Sequence, residues 1–263
     1  MNSSLKNNPI GFFDSGVGGL SVYSKFQTLL PNENLIYFGD LKNLPYGNKT
    51  QDELVNFARN ILKFFTTKSV KAVVIACNTS SALAYEQIKN DYDFKIYPII
   101  QSCAKVIATT EYSKIGVFAT EGTVQSKAYS KEIRKYNSQI DIREIACPNW
   151  VSIVEGRLVD DNDLKKHLEE MMGFNPEKIV LGCTHYPYLL NKLSRYIDKS
   201  IFIDPSEIFV DYIRKDLQNL NLLNKSKLSG SEEFYVSSNP EAFAKNSQLF
   251  KKIDLECIKE IDI

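Results

Sequence analysis

Two segments of this chain are built alike. In VVIACNTSSA the apolar run Val73 to Ala76 leads into Cys77, and in IVLGCTHYP the run Ile179 to Gly182 leads into Cys183. Each run is too short for a helix and is followed by a helix-like pattern. Each therefore reads as a buried strand that gives way to a loop and a helix N-terminus. In α/β sheets, ligands bind beyond the carboxyl ends of the strands. The pattern commits the chain to strands alternating with helices, and it puts two thiols at ligand-binding edges.

The rest of the chain follows the same alternation. A strand over Asn8 to Asp14 runs into the Gly-rich turn Ser15 to Gly19 and a helix from Leu20 to Leu30, ended by Pro31. A strand over Leu35 to Phe38 leads to a loop with Asp40 and the turn Pro45-Tyr46-Gly47. Thr50 and Glu53 have the spacing of a capping box, and Leu54, Phe57, Ile61, Leu62 and Phe65 follow at helical intervals. Beyond Cys77 the pattern predicts a helix over Ser81 to Lys89. A strand over Lys95 to Ile100, interrupted by Pro98, belongs at an edge or a crossover.

At Lys114 the chain begins again. IGFFDSGVGG from Ile10 matches IGVFATEGTV from Ile115 at an offset of 105, and the two cysteine strands are offset by 106. Two anchors at nearly one offset point to a duplicated scaffold. Packed face to face, its halves would bring both cysteine edges to one cleft. The expected fold class is α/β, with two similar three-layer αβα domains, mainly parallel sheets and a pseudo-twofold relation. One domain is expected over 1–98 plus 208–263 and the other over 99–207. The tail supplies FYVSS, a helix over Pro240 to Phe250 and a strand over Leu255 to Ile258, and it returns to the first half.

Composition narrows the function classes. The 263 residues carry 32 Lys and Arg against 32 Asp and Glu, so no basic bias draws the chain to nucleic acid or a membrane surface. No apolar signal core or membrane-length run is present, and the expected address is the cytoplasm. Five cysteines without CxxC argue against a disulfide framework and a structural zinc site. The expectation is no metal.

A thiol has a reference pKa of about 8.5, which a helix N-terminus or a cation lowers. Asn78 and Thr79 suit a helix start after Cys77, and Pro187 suits one after Cys183, with Leu189, Leu190, Leu193 and Ile197 on its buried face. Both thiols are therefore expected to favour the thiolate. A single strand-end cysteine is most often a small buried hydrophobe. Two in matched settings, each followed by polar residues, are not explained that way. Cys103, Cys147 and Cys257 have no such neighbours and read as structural.

Asp14-Ser15, Tyr46-Gly47, Asn78-Thr79 and Thr184-His185 share hydroxyls, amides and small turns, without lysine or arginine. Such a set holds carboxylates through neutral donors. Asp14 is better suited to a ligand ammonium or to tuning a neighbour. His185 can tune Cys183 or bind an anion. His167, on a charged helix, reads as surface. DSGVGGL lacks the GxGxxG spacing of a dinucleotide site. These residues leave open whether the thiols act as two bases, or one acts as a nucleophile with His185 as its base.

FFDSGVGGLSV, YFGD with PYG, ACNTSSA and LGCTHYP resemble, in order, the blocks of the glutamate racemases in the cofactor-independent Asp/Glu racemase superfamily. VFATEGTVQSKAY, CPNWVSIVEG and FYVSSNPEAF extend the resemblance over nearly the whole chain. Related aspartate racemases usually carry Glu after GCT, where this chain has His185. Asn43 stands where many members have arginine, and Ser80 where alanine is usual.

The resemblance implies a two-base interconversion of L- and D-glutamate without pyridoxal phosphate or metal. Cys77 would take the Cα proton from D-glutamate and Cys183 from L-glutamate. Asp14 and His185 would assist the thiols, with Glu155 a further candidate. Asp14, Ser15, Tyr46, Gly47, Asn78, Thr79, Thr184 and His185 would surround the substrate. The product would be D-glutamate for peptidoglycan, and a homodimer is expected by family analogy. The alternatives are racemisation of aspartate or a hydantoin, a single-cysteine amidase or hydrolase, and a non-catalytic binding module.

Overall fold

The computed structural model describes residues 5–263. The first half runs β1 (Ile10–Asp14), α1 (Leu20–Leu29), β2 (Leu35–Gly39), α2 (Gln51–Thr67), β3 (Ala72–Ile75), α3 (Asn78–Leu83), α4 (Tyr85–Ile88) and β4 (Lys95–Pro98), and α5 (Ile99–Ile107) leads into the second. The second runs β5 (Lys114–Ala119), α6 (Glu121–Ser126), α7 (Ala128–Tyr136), β6 (Asp141–Ala146), α8 (Trp150–Val154), α9 (Asp161–Met172), β7 (Lys178–Gly182), α10 (Leu190–Leu193) and β8 (Phe202–Ile203). The chain closes with α11 (Pro205–Asn219), β9 (Glu232–Val236), α12 (Pro240–Ser247) and β10 (Ile258–Glu260).

The strands form two wholly parallel sheets. One has six strands in the order β10-β9-β2-β1-β3-β4, and the other has four in the order β6-β5-β7-β8. Parallel sheets bury both faces, which is why β1 and β2 are buried at every position. The pleat sends neighbours to different cores. Phe12 joins a core shared by the two halves, with Val117, Val180 and Phe209, while Phe13 joins an outer core with Leu54, Ile61 and Phe65 of α2. The tail strand β9 pairs with β2, so the first sheet is built from both ends of the chain.

The register sets the functional edge. Phe13 lies opposite Ile75 and Asp14 opposite Gly39, so the loops carrying Asp14, Asp40 and Cys77 leave one edge together. In the second sheet Ala119 lies opposite Gly182, which places Thr120 and Cys183 side by side in the same way.

The capping box forms as its spacing predicts. Thr50 accepts from the Glu53 amide, and the Glu53 carboxylate accepts from the Thr50 amide at 2.8 Å. Elsewhere the local structure departs from expectation. The helix after Cys77 starts at once, at Asn78, and breaks at Ala84 into α3 and α4. The edge strand β4 stops at Pro98 and α5 begins at Ile99, because proline offers no amide to continue a ladder but suits a helix entry. After Cys183 there is a 3-10 turn over Tyr186–Leu189 and the single turn α10, not a regular helix. The tail has a 3-10 turn at Leu255–Cys257 before β10. His167, expected at the surface, is half-buried. It packs edge-on against Trp150 at 5.9 Å, with its Nδ1 2.7 Å from the Asp163 carbonyl. Among the described residues no helix is long and apolar enough to cross a membrane.

Opposite the functional edge, a buried ion pair ties the chain together. Lys71, just before β3, donates to Glu33 at 2.5 Å and to the carbonyls of Lys6 at 2.6 Å and Leu222 at 2.9 Å. Glu33 also accepts from the Asn224 amide at 2.8 Å. Burial lowers the Lys71 pKa, opposed by the Glu33 charge. Removing one partner strands a buried charge, which costs about 3–5 kcal/mol. Lys71→Met is therefore expected to lose that much in urea unfolding at neutral pH, and adding Glu33→Leu to regain part of it. A single-variant loss below about 1 kcal/mol would show that the pair does not hold the edge.

Candidate active site

Cys77 caps α3 directly after β3, and Cys183 follows β7. Both are buried. Asp14, at the end of β1, accepts from the Gly16 amide at 3.0 Å and reaches across to the Thr184 hydroxyl at 3.5 Å. Ser15 Oγ lies 4.0 Å from the Cys77 sulfur. The Gly-rich turn is what lets the halves meet: a Cβ on Gly18 would come within 2.4 Å of Thr184 Oγ1 and His185 Cε1. These glycines serve close packing between the halves.

His185 links the second thiol to two further charges. Its Nδ1 is 3.9 Å from the Cys183 sulfur and its Nε2 is 3.1 Å from Glu155. Glu155 accepts from Arg157 Nε at 2.8 Å. The Phe250 ring from the tail stands edge-on to the imidazole at 5.5 Å.

Burial dominates the electrostatics. It pushes the Asp14 carboxyl up, against the pull of the His185 charge and the Gly16 amide. It pushes the Cys77 thiol up to about 12, helped by the Asp14 charge and, more weakly, by Cys183. Burial alone would depress His185. Its hydrogen bonds to Cys183 and Glu155, with the charges of Cys183 and Asp14, outweigh that and hold it up at about 10. Glu155 is lowered despite burial, by its bond to His185 and by the charges of His185 and Arg157.

The two thiols have different neighbours. The expectation that both favour the thiolate fails at Cys77, where burial beside a carboxyl outweighs the start of α3. At Cys183 a cation faces the sulfur directly, and the segment that follows is too short to bring a helix dipole.

The other sequence candidates gather around this pair. Asn78 and Thr79 open α3, and Thr79 Oγ1 lies 3.0 Å from Thr120 Oγ1 of the second half. Tyr46 shares a buried cluster with Cys77 and donates to Asp40 at 2.5 Å. Asp40 accepts from Asn43 Nδ2 at 2.9 Å and from the Ser237 hydroxyl at 2.7 Å, so the residue at this departure from the family pattern helps to order the loop. Gly47 borders a groove of about 510 Å³ between the starts of α2 and α6, next to Gly122 and Leu83. A smaller cavity of about 10 Å³ touches Asn78, Cys183 and Thr184. It is the size of one water. Among the described residues no three His, Cys, Asp or Glu side chains are grouped to hold a metal ion.

Thr120, Tyr129 and Asp40 contact these candidates without being candidates from sequence. The internal repeat carried the signal for Thr120, since the offset of 105 makes it the counterpart of Ser15. Tyr129 and Asp40 carry no such mark, because their roles come from contacts made across the fold.

Comparison with known proteins places this geometry. The family model described as Asp/Glu/Hydantoin racemase matches residues 10–213. A glutamate racemase of Thermoanaerobacter pseudethanolicus is 37% identical over 265 residues, covering 98% of this chain and 99% of that protein. The crystal structure of glutamate racemase from Francisella tularensis in complex with D-glutamate superposes with a TM-score of 0.90 at 32% identity, covering 98% of each chain. An aspartate racemase of Picrophilus torridus, at a TM-score of 0.59 and 17% identity, covers 82% of this chain and 98% of that one, and shares the fold alone.

Two outcomes follow from the geometry. A raised pKa means that His185 keeps its proton through neutral pH and loses it as pH rises through about 10. Nitrogen-15 shifts of the ring should show this, with Glu155→Gln moving the titration to lower pH. A midpoint near the ordinary 6.5 would contradict the network. Gly18→Ala forces the halves apart and is expected to cost about 1–3 kcal/mol in thermal unfolding. Alkylation of Cys77 and Cys183, followed by mass spectrometry, should be faster in that variant. Unchanged stability and labelling would mean that the turn does not set the contact.

Proposed function

The chain belongs to the Asp/Glu/Hydantoin racemase family, among its glutamate racemases, and we propose that it interconverts L- and D-glutamate by moving the Cα proton between two thiols. The observation that carries this reading is the pair of buried cysteines at matching edges of two sheets, joined across the gap by Asp14 and Thr184.

The asymmetry of the pair supplies a starting state. An imidazolium beside Cys183 stabilises negative charge on that sulfur, while burial and Asp14 keep Cys77 protonated. Cys183 then removes the Cα proton of L-glutamate, and Cys77 gives its own proton to the opposite face. The product is D-glutamate, with Cys183 now a thiol and Cys77 a thiolate. That state takes D-glutamate back by the same route. Protons and charge balance in each direction.

The Cα–H is a very weak acid, and the substrate carboxylate opposes further negative charge. A thiolate alone does not bridge that gap. Donors placed where charge develops, in a site closed to water, must supply the difference. Ser15, Asn78, Thr79 and Thr184 provide hydroxyl and amide donors, and Tyr46 and Gly47 bound the loop beside them. Asp14 meets the substrate ammonium or holds Cys77 protonated, and Glu155 keeps His185 charged. The groove at Gly47 and Gly122 is the approach, and parting of the halves admits the substrate. The moving units in this reading are 1–98 with 208–263, and 99–207, which the separate sheets support.

The chain Cys183, His185, Glu155 also has the order of a nucleophile, its base and an orienting acid. A hydrolase of that kind leaves the buried, matched Cys77 without a task, so the two-base reading is preferred. We further place the reaction in the cytoplasm, as the source of D-glutamate for peptidoglycan, in a homodimer as in many family members.

Incubating the protein with each glutamate enantiomer in heavy water, without added cofactor, tests the reading. Wild type is expected to produce the other enantiomer carrying deuterium at Cα. Cys77→Ala and Cys183→Ala should each lose at least roughly 10²–10⁴-fold in rate. Robust racemisation by either variant would sink the two-thiol mechanism, and equal or better turnover of aspartate would sink the substrate assignment.

A further inference from the structure

We propose that Tyr129 is a positioning residue that turns the Asn78 amide so that its NH2 group meets a substrate carboxylate. The inference rests on the reading of Asn78 as a substrate contact. Tyr129 lies on α7 of the second half and is completely buried. Its hydroxyl donates to Asn78 Oδ1 at 2.8 Å, across the junction between the halves. The ring lies against the strand that delivers Cys183: a Cβ on Gly182 would stand 2.9 Å from Tyr129 Cε2. Phenylalanine would fill that space equally well, so packing alone does not call for the hydroxyl.

The hydrogen-bond inventory of the amide explains what the hydroxyl does. An Asn side chain has one acceptor oxygen and two N–H donors. Tyr129 occupies the oxygen. The nitrogen, Asn78 Nδ2, is buried and has no hydrogen-bond partner among the described residues. Leaving a buried donor unpaired costs about 1–3 kcal/mol, so an arrangement that keeps it so is poised for a ligand acceptor. Asn78 borders the small cavity that Cys183 and Thr184 also border. With the amide turned over, its carbonyl would face the anionic ligand and repel it. The Tyr129 hydroxyl, by donating to Oδ1, holds the attractive orientation, and the bond exists only when the halves are closed on each other.

Tyr129→Phe keeps the ring and removes only this bond. In the racemase assay it is expected to raise KM for glutamate about tenfold and to change kcat less than about threefold, with the melting temperature within a few degrees of wild type. Asn78→Ala should raise KM at least as much. Tyr129→Phe added to Asn78→Ala should then change KM by less than about twofold, because the group it orients is gone. Wild-type kinetics in Tyr129→Phe beside an impaired Asn78→Ala would overturn the inference and leave Asn78 as a substrate contact. Effects that multiply in the double variant would also overturn it, since a structural role does not depend on Asn78. Wild-type kinetics in Asn78→Ala would instead remove the premise, and the inference with it.

Discussion

The contact of Gly18 with Thr184 and His185 governs how the two halves of this molecule meet. Each sheet alone presents a ligand-binding edge with one thiol, as many parallel sheets present a single loop cluster. Pressing the edges together makes one site with a sulfur from each. The glycine is needed because the turn after β1 must lie flat against the residues after β7. Asp14 then reaches Thr184, and Thr79 reaches Thr120. All three contacts cross the same junction, and none forms within one half.

Closing that junction also sets the charges. Asp14, Cys77, Cys183 and His185 are taken out of water together. Burial opposes every charged form among them, yet a cluster of acids leaves room for one cation. His185 fills that place, supported from behind by Glu155, which Arg157 holds in turn. The result is two different settings for chemically identical thiols. A symmetric pair of cysteines would have no preferred proton; here the second-half sulfur faces an imidazolium and the first-half sulfur faces a carboxyl.

Stability is placed away from this edge. The Lys71–Glu33 pair sits at the opposite end of the first sheet and gathers the start of the chain, α1 and the segment after α11. The tail strands β9 and β10 extend the same sheet, and Phe250 from that tail leans on His185. At the functional edge, Asn78 Nδ2 is buried without a partner among the described residues, which costs stability and does not add to it.

Much of this was legible in the residues. The short apolar runs before Cys77 and Cys183 determined two strand ends, the near-equal offsets determined a repeated α/β unit, and Thr50 with Glu53 determined where α2 begins. These signals are local, because strand length, helical spacing and capping depend on neighbours within a few residues. The repeat even held Thr120, as the partner of Ser15. What the sequence did not determine is what depends on distance between remote segments. A helix dipole was expected to favour the thiolate at Cys77, and burial beside Asp14 reversed that. His167 looked solvated until Trp150 covered it. Tyr129 ended a family-like block without a role until the junction brought it to Asn78. Periodicity along the chain decides which residues point inward. Only the packing of one sheet edge on another decides which charges share a space without water, and that sharing is what separates one thiol from the other.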